Sequence, residues 1–117
     1  MIQKRLKQLR DHYVITQVQK AAIPQMEESP ICRYRICFYG RVQKVGFRLE
    51  LAEMAKRLGL SGFCRNLPDS TVYAELQGPQ NKIQFLISFM ESLVRIKITK
   101  KTQDMIPLLD EKGFAIQ

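Results

Sequence analysis

A glycine-bounded loop that leads into a helix is the stretch of this sequence best suited to chemistry. Residues 40–48 read GRVQKVGFR, and Arg48 falls in the first turn of the helix that follows. The N-terminus of a helix carries the positive end of its dipole, so an acidic residue is expected there rather than a cation. A bound phosphate would explain the exception, because backbone N–H groups in such a loop bind anions and a guanidinium matches phosphate oxygens. Taken alone, the loop favours the simpler alternative of a tight turn with a solvated arginine.

Other side chains that commonly take part in catalysis are few. His12 is the single histidine, and we interpret it as a surface residue. The three cysteines Cys32, Cys37 and Cys64 form no CxxC pair, and an odd count does not fit a disulfide framework. Cys32 and Cys37 lie an odd number of residues apart on a predicted strand, so their side chains should face opposite sides. Such thiols predict a reduced, cytoplasmic protein.

Length and charge limit the classes of protein to which this chain can belong. A chain of 117 residues suits one domain with a modest core. No apolar run is long enough to span a membrane, and the N-terminus is too charged for a signal peptide, so no membrane partner is expected. The net charge is +8, and half of it lies in residues 1–25, which hold five basic residues and one acidic residue. This charge favours an anionic partner without identifying it.

The loop lies between a predicted strand and a predicted helix. Residues 31–39 alternate in the manner of a half-buried strand, whereas from Phe47 the period becomes that of a helix ending at Gly59. On the strand, Tyr34, Ile36 and Phe38 face one side and Arg33, Arg35 and Cys37 the other. On the helix, Leu51, Ala55 and Leu58 face inward and Glu50, Glu53, Lys56 and Arg57 face solvent.

The rest of the chain predicts two more strands, a helix and two final strands. The strands are expected at 61–66, 71–77, 95–101 and 112–117, with a turn at 67–70. Pro79 is the expected first residue of the second helix, whose apolar stripe is Ile83, Leu86, Ile87, Met90 and Leu93. The order from residue 31 is therefore βαββαβ. It predicts an α+β, ferredoxin-like sandwich in which two helices cover one face of an antiparallel sheet.

Three segments of the sequence resemble the acylphosphatase family. They are the loop GRVQKVGFR, the segment LGLSGFCRNLPDSTV at 58–72 and the terminal GFAIQ. The family loop is usually written G-R-V-Q-G-V-G-F-R. The likeness covers residues 31–117, which we take as the domain, and leaves residues 1–30 as an N-terminal extension.

The resemblance implies an enzyme that hydrolyses the carboxyl–phosphate bond of acyl phosphates without a metal or an organic cofactor. Inorganic phosphate would be its product and an inhibitor. By the family pattern, Arg48 matches the arginine that binds the phosphoryl group, and Asn66 matches the asparagine that orients the attacking water. From the residues alone, Asn66 would be read as a turn former. The phosphate-binding amides would belong to Gln43, Lys44, Val45, Gly46 and Phe47.

Lys44 departs from the family pattern, which has a glycine there. That glycine suggests a left-handed backbone conformation, in which a lysine would be strained by about 1–2 kcal/mol. Its ammonium could lie near the phosphate or point into water. A flexible, strongly hydrated side chain favours water.

Two other functions compete with hydrolysis. Ferredoxin-like sheets also occur in RNA-binding domains, and residues 112–116 (KGFAI) partly match their aromatic motif. The match falls on the last strand and Ile116 replaces an aromatic residue, so a nucleic-acid partner is not favoured. The second alternative is a family member that binds anions without turnover.

Residues 1–30 lie outside the resemblance. A helical spacing relates four apolar residues of this segment, Ile2, Leu6, Leu9 and Tyr13, and the basic residues Lys4, Arg5, Lys7 and Arg10 lie beside them. Residues 13–18, in contrast, have a composition that favours a β-strand. This apolar stripe predicts docking on the domain or self-association through residues 1–25, with a loosely ordered arm as the alternative. A start of translation at Met26 is a further alternative.

Overall fold

A computed structural model describes residues 2–117 of the chain as three helices and five strands. Met1 lies outside the described residues. The elements are α1 (Ile2–Lys20), β1 (Ile31–Arg41), α2 (Phe47–Leu58), β2 (Ser61–Asn66), β3 (Val72–Pro79), α3 (Gln80–Glu91), β4 (Lys97–Ile106) and β5 (Phe114–Ile116). From β1 to β4 they follow the predicted βαββαβ order.

The strands form one sheet in the order β4-β1-β3-β2-β5. The first four strands are antiparallel to their neighbours, which confirms the predicted α+β ferredoxin-like fold. The short strand β5 pairs in parallel with β2 at the edge, so the whole sheet is mixed rather than antiparallel. Gln117 extends this edge, since its N–H donates to the carbonyl oxygen of Cys64 at 2.8 Å.

The core lies between the sheet and helices α2 and α3. Both predicted helical stripes are buried, apart from Leu93, which is partly buried beyond the end of α3. Gly59 caps α2 with φ 70°, and Leu60 folds back so that its N–H donates to Ala55 at 2.9 Å. These contacts hold α2 across the strands and thereby fix the position of its first turn.

The other face of the sheet is less exposed than the strand pattern predicted. Arg33 was expected at the surface, but it is fully buried. Its guanidinium pairs with Glu75 at 2.9 Å and with Glu111 at 2.6 Å, because the connection between β4 and β5 crosses this face. Cys32 is buried and Cys37 is half-buried on the opposite side of β1, as predicted.

Some boundaries differ from the sequence prediction because strand pairing sets their length. Strand β4 begins two residues later and ends five residues later than predicted, since it pairs along β1 from Arg41↔Lys97 to Arg33↔Ile106. Pro79 ends β3 and immediately precedes α3 instead of being its first residue.

Helix α1 docks on the domain, but not through the predicted stripe. Ile2, Leu6, Leu9 and Tyr13 are exposed, whereas Val14 and Val18 are buried. The supposedly β-prone residues 13–18 are helical because Val14 and Val18, four residues apart, share the face that packs on the domain.

The C-terminal end of α1 is tied to α2. Arg57 donates through Nη1 to the carbonyl oxygens of Val18 at 2.5 Å and Ala21 at 2.7 Å. A loosely ordered arm is therefore the wrong description of this segment. Within residues 2–117, no helix has the length and apolar character needed to cross a membrane.

Candidate active site

The loop between β1 and α2, residues 42–46, forms a concave turn that we call the cradle loop. Lys44 has φ 63° and Gly46 has φ 79°, while Val45 between them has no positive φ. The left-handed backbone expected at Lys44 is confirmed. Alternation of left- and right-handed residues turns successive N–H groups toward one concavity, which is the geometry of an anion nest.

The N–H groups of this region are not used by the protein backbone. The first helical hydrogen bond of α2 runs from the Glu50 N–H to the Gly46 carbonyl at 3.0 Å. Within residues 2–117, the N–H groups of residues 44–49 donate to no backbone carbonyl. Such unpaired donors at a helix N-terminus, where the dipole is positive, favour a bound anion.

A pocket of about 310 Å³ opens beside the cradle loop. Arg48 and Asn66 both line it. Its volume lies at the lower end of the roughly 300–1,000 Å³ typical of small-molecule sites, so it suits a small ligand. The other lining residues are Lys7, Arg10, Asp11, Val42, Gln43, Lys44, Gly46, Phe47, Leu49 and Ile116.

Arg48 is half-buried in the first turn of α2. Within the described part of the chain, no acceptor takes a hydrogen bond from its guanidinium, and no carboxylate pairs with it. The other half-buried arginines, Arg10 and Arg95, do have carboxylate partners. The Arg48 donors are thus available to a ligand in the pocket.

Asn66 is the last residue of β2, and its exposed side chain reaches the same pocket. It does not close the turn that follows. That turn is closed by the Leu67 N–H, which donates to Thr71 at 2.9 Å, and by the Thr71 N–H, which donates to Asp69 Oδ1 at 3.2 Å. Asp69 therefore performs the local role that was considered for Asn66.

Gln43 joins the two halves of the pocket. Its Nε2 donates to the carbonyl oxygens of Leu67 at 3.0 Å and Thr71 at 2.8 Å. The carboxamide thus contacts the turn after Asn66 and fixes that turn against the cradle loop. Of the predicted site residues, Val45 alone does not line the pocket, since its side chain is buried in the core.

Glu50 contradicts the sequence prediction, which placed it in solvent. It is fully buried, and its Oε1 accepts a hydrogen bond from Arg95 Nη2 at 2.5 Å. Arg95 Nε also donates to the Val45 carbonyl at 2.6 Å. The carboxylate is buried because Arg95 closes over the first turn of α2, and the same arginine holds the cradle loop.

The pair predicts a pH-dependent change in stability. Burial raises the pKa of Glu50 above its ordinary value, although Arg95 acts in the opposite direction. The folded state then holds more protons than the unfolded state between the two pKa values, so this residue makes stability fall as pH rises through that window. Removing Arg95 raises the folded pKa further and enlarges the loss.

We therefore expect Arg95→Met to lower the free energy of unfolding by about 3 kcal/mol at pH ~8, because the variant leaves a buried carboxylate unpaired. The loss should be smaller near pH ~5, because a larger fraction of the folded molecules then holds Glu50 in its protonated, uncharged form. Urea unfolding at both pH values measures it. In the double variant Arg95→Met with Glu50→Gln, the loss in free energy of unfolding should be the same at both pH values. A loss that still depends on pH would show that another group titrates.

Cys64 connects the strand that carries Asn66 to the turn that carries Arg48. Its buried Sγ donates to the Arg48 carbonyl at 3.8 Å. Burial raises the pKa of the Cys64 thiol to about 12, against the opposing effect of the Arg48 charge. The thiol is therefore protonated at neutral pH and serves packing rather than nucleophilic attack.

Several residues around the pocket were not predicted to serve it. Arg10 donates from Nη1 to the Lys44 carbonyl at 3.2 Å, and Arg95 holds Val45 from the other side. The sequence did contain a sign that Glu50 is buried, since it lies three residues after Phe47 and so falls on the inner side of the helix. The sequence contained no sign of the contacts made by Arg10 and Arg95, because each contact joins segments that are distant in the chain.

Comparison with known proteins gives a consistent result. The family model for acylphosphatase matches residues 34–116. An acylphosphatase from Clostridium beijerinckii is 36% identical over 90 residues, which cover 73% of this chain and 97% of that protein. One from Picrophilus torridus is 43% identical over 60 residues, covering 51% of this chain and 74% of that protein.

A solved structure shows the same relationship in three dimensions. The crystal structure of acylphosphatase from Bacillus subtilis superposes with a TM-score of 0.68 at 29% identity, covering 75% of this chain and 99% of that one. Both kinds of comparison agree with the predicted resemblance. The chain belongs to the acylphosphatase family, and its activity is the hydrolysis of acyl phosphates.

Proposed function

We propose that the pocket beside the cradle loop performs this hydrolysis by attack of water at phosphorus. Residues 31–117 would form the catalytic domain, with residues 1–30 as its extension. The observation that carries the proposal is the set of unpaired donors that line one pocket: the N–H groups of residues 44 and 46–49 and the Arg48 guanidinium. A phosphoryl group supplies the acceptors that these donors lack.

In the proposed reaction, the phosphoryl group lies in the cradle loop and the acyl group extends into the pocket. Asn66 orients a water molecule, whose oxygen forms a new bond to phosphorus as the bond from phosphorus to the acyl oxygen breaks. The acyl group leaves as a carboxylate, and the water oxygen stays on inorganic phosphate. The water's protons pass to phosphate and solvent.

This chemistry requires little acid or base from the protein. A carboxylate is a weak base and leaves without general-acid help, and phosphoryl transfer depends mainly on positioning and electrostatic stabilisation. His12 does not line the pocket, and Asp11 is paired with Arg10 at 3.1 Å. We accordingly propose a reaction that proceeds without a metal or a cofactor.

Hydrolysis of acetyl phosphate in the presence of a chelator tests the proposal. We expect release of phosphate with saturation kinetics and competitive inhibition by inorganic phosphate. An unactivated phosphate ester, whose alkoxide leaves poorly, should react far more slowly. Tight binding of phosphate without any turnover would instead favour the anion-binding alternative.

The position of Phe114 argues against the nucleic-acid alternative. Phe114, the aromatic residue of its partial motif, is buried beneath α2 and cannot stack on a base. For the location of the enzyme we propose the cytoplasm, which is supported by three unpaired cysteines.

Lys44 gives a further prediction about the cradle loop. Its side chain is exposed, which supports the solvated assignment. We expect Lys44→Gly to change the KM for acetyl phosphate by less than about threefold and to raise stability by up to about 1 kcal/mol, because relief of left-handed strain outweighs the added entropy of the unfolded chain.

Steady-state kinetics and thermal unfolding of Lys44→Gly test both parts. Ser70→Gly is a matched control, since Ser70 has φ 73° but does not line the pocket. It should gain similar stability with unchanged kinetics. A large rise in KM confined to Lys44→Gly would instead show that the lysine binds phosphate.

A further inference from the structure

We infer that α1 forms a wall of the active site that selects acyl phosphates whose acyl group carries a second negative charge, with Lys7 as the residue that recognises it. The inference rests on the proposed function of the pocket. It concerns a segment outside residues 34–116, which are the part of the chain matched by the family. The selectivity would thus belong to the extension of this chain.

The first support is that α1 is built against the cradle loop. Arg10 Nη1 donates to the Lys44 carbonyl at 3.2 Å, and Val14 is fully buried behind it. The contact at Gly46 is close, since a Cβ at that position would lie 3.1 Å from Val14 Cγ2 and 3.3 Å from Arg10 Nε. This packing fixes the N-terminal half of α1 beside the pocket.

The second support is the composition of the pocket. Three of its lining residues lie outside both the region 42–49 and the ends of β2 and β5, and all three are on α1: Lys7, Arg10 and Asp11. The phosphoryl group occupies the cradle loop, so the acyl group must extend into the remaining space. That space is bounded by α1.

The third support is the charge balance. Apart from Lys44, whose exposed side chain is assigned to solvent, the lining holds the cations Lys7, Arg10 and Arg48 and the anion Asp11. Arg10 and Asp11 cancel each other as an ion pair. Arg48 and the N–H groups of the cradle loop face the roughly two negative charges of a phosphoryl group at neutral pH. Lys7 is then the positive charge that remains for the acyl group to match.

Lys7 is the cation on this wall that remains available. The Arg10 guanidinium is paired with Asp11 at 3.1 Å and bound to the Lys44 carbonyl. In the described segment 2–117, the Lys7 ammonium pairs with no carboxylate. A carboxylate or phosphate on the acyl group supplies the anion that Lys7 fits.

A matched pair of substrates tests the inference. Benzoyl phosphate and para-carboxybenzoyl phosphate differ by one carboxylate, which is held by the rigid ring away from the reacting bond. We would measure kcat/KM for both substrates with the full chain and with Lys7→Gln, Lys7→Glu and Arg5→Gln. Arg5 lies on the same helix but does not line the pocket, so its variant controls for net charge. A third substrate with a phosphate ester in place of the carboxylate distinguishes the two kinds of anion.

We expect the ratio of kcat/KM for the carboxylated over the plain substrate to fall about fivefold in Lys7→Gln, as for a partly screened charge pair, and further in Lys7→Glu. The ratio should remain unchanged in Arg5→Gln, and added salt should reduce the wild-type preference. The anion that gives the larger Lys7-dependent preference identifies the chemistry recognised.

Two results would overturn the inference while leaving the proposed function intact. One is hydrolysis of both substrates with the same ratio in Lys7→Gln as in the wild type. The other is an equal fall of the ratio in Arg5→Gln, which would assign the preference to overall charge. If neither benzoyl substrate nor acetyl phosphate is hydrolysed by the wild-type chain, the proposed function itself fails and the inference with it.

Discussion

Arg48→Lys is expected to lower kcat for acetyl phosphate by roughly a hundred- to a thousandfold, the usual effect of losing one preorganised donor to a developing negative charge. Lysine keeps the charge but lacks the planar pair of donors that matches two phosphoryl oxygens. The fold should survive, since Arg48 makes no side-chain contact with a carboxylate anywhere in residues 2–117.

Steady-state kinetics and thermal unfolding of the same preparation test this prediction. Arg65→Lys is a matched control, because Arg65 is an exposed arginine of β2 that does not line the pocket. Its kcat should remain close to that of the wild type. Wild-type turnover in Arg48→Lys would show that Arg48 does not bind the phosphoryl group.

Asn66→Ala is expected to lower kcat by about a hundredfold, the order of effect that follows from misplacing a reacting group. Inhibition by inorganic phosphate should change far less. The carboxamide is assigned to the attacking water, whereas the cradle loop and Arg48 are assigned to the phosphoryl group. Loss of an interaction made only with the water reduces turnover without weakening the bound phosphate.

The inhibition constant for phosphate and kcat are therefore measured together for Asn66→Ala. The turn that follows Asn66 should remain intact, because Asp69, Thr71 and Gln43 hold it. A control Asp69→Ala variant would disturb the turn itself and should lower stability. If Asn66→Ala loses phosphate binding in proportion to kcat, Asn66 binds the phosphoryl group and not the water.

The fold could be predicted because its signals are local. Alternation on β1, the stripe of α2 and the capping glycine at 59 each depend on residues within one element. The left-handed conformation of Lys44 was predicted for a different reason, since the family has a glycine there. The mixed character of the sheet was missed because the edge strand β5 is three residues long and its direction depends on β2.

The surroundings of the site could not be predicted because they depend on contacts between distant segments. Helix α1 buries Val14 and Val18 instead of its more regular apolar stripe, and nothing within the helix identifies that face. Arg95 and Glu50 are 45 residues apart in the chain, so no local sequence pattern indicates that their charges pair. The proposed roles of Arg48 and Asn66 rest on the family pattern as well as on the local chemistry.

The central claim is that water attacks the phosphorus atom and not the acyl carbon, and isotope labelling tests it most directly. Acetyl phosphate is hydrolysed by the full chain in water enriched in the heavy oxygen isotope, and the label in both products is determined by mass spectrometry. Attack at phosphorus in the cradle loop predicts one labelled oxygen in inorganic phosphate and none in acetate. Label in acetate would show attack at the acyl carbon and would contradict the proposed roles of Arg48 and Asn66.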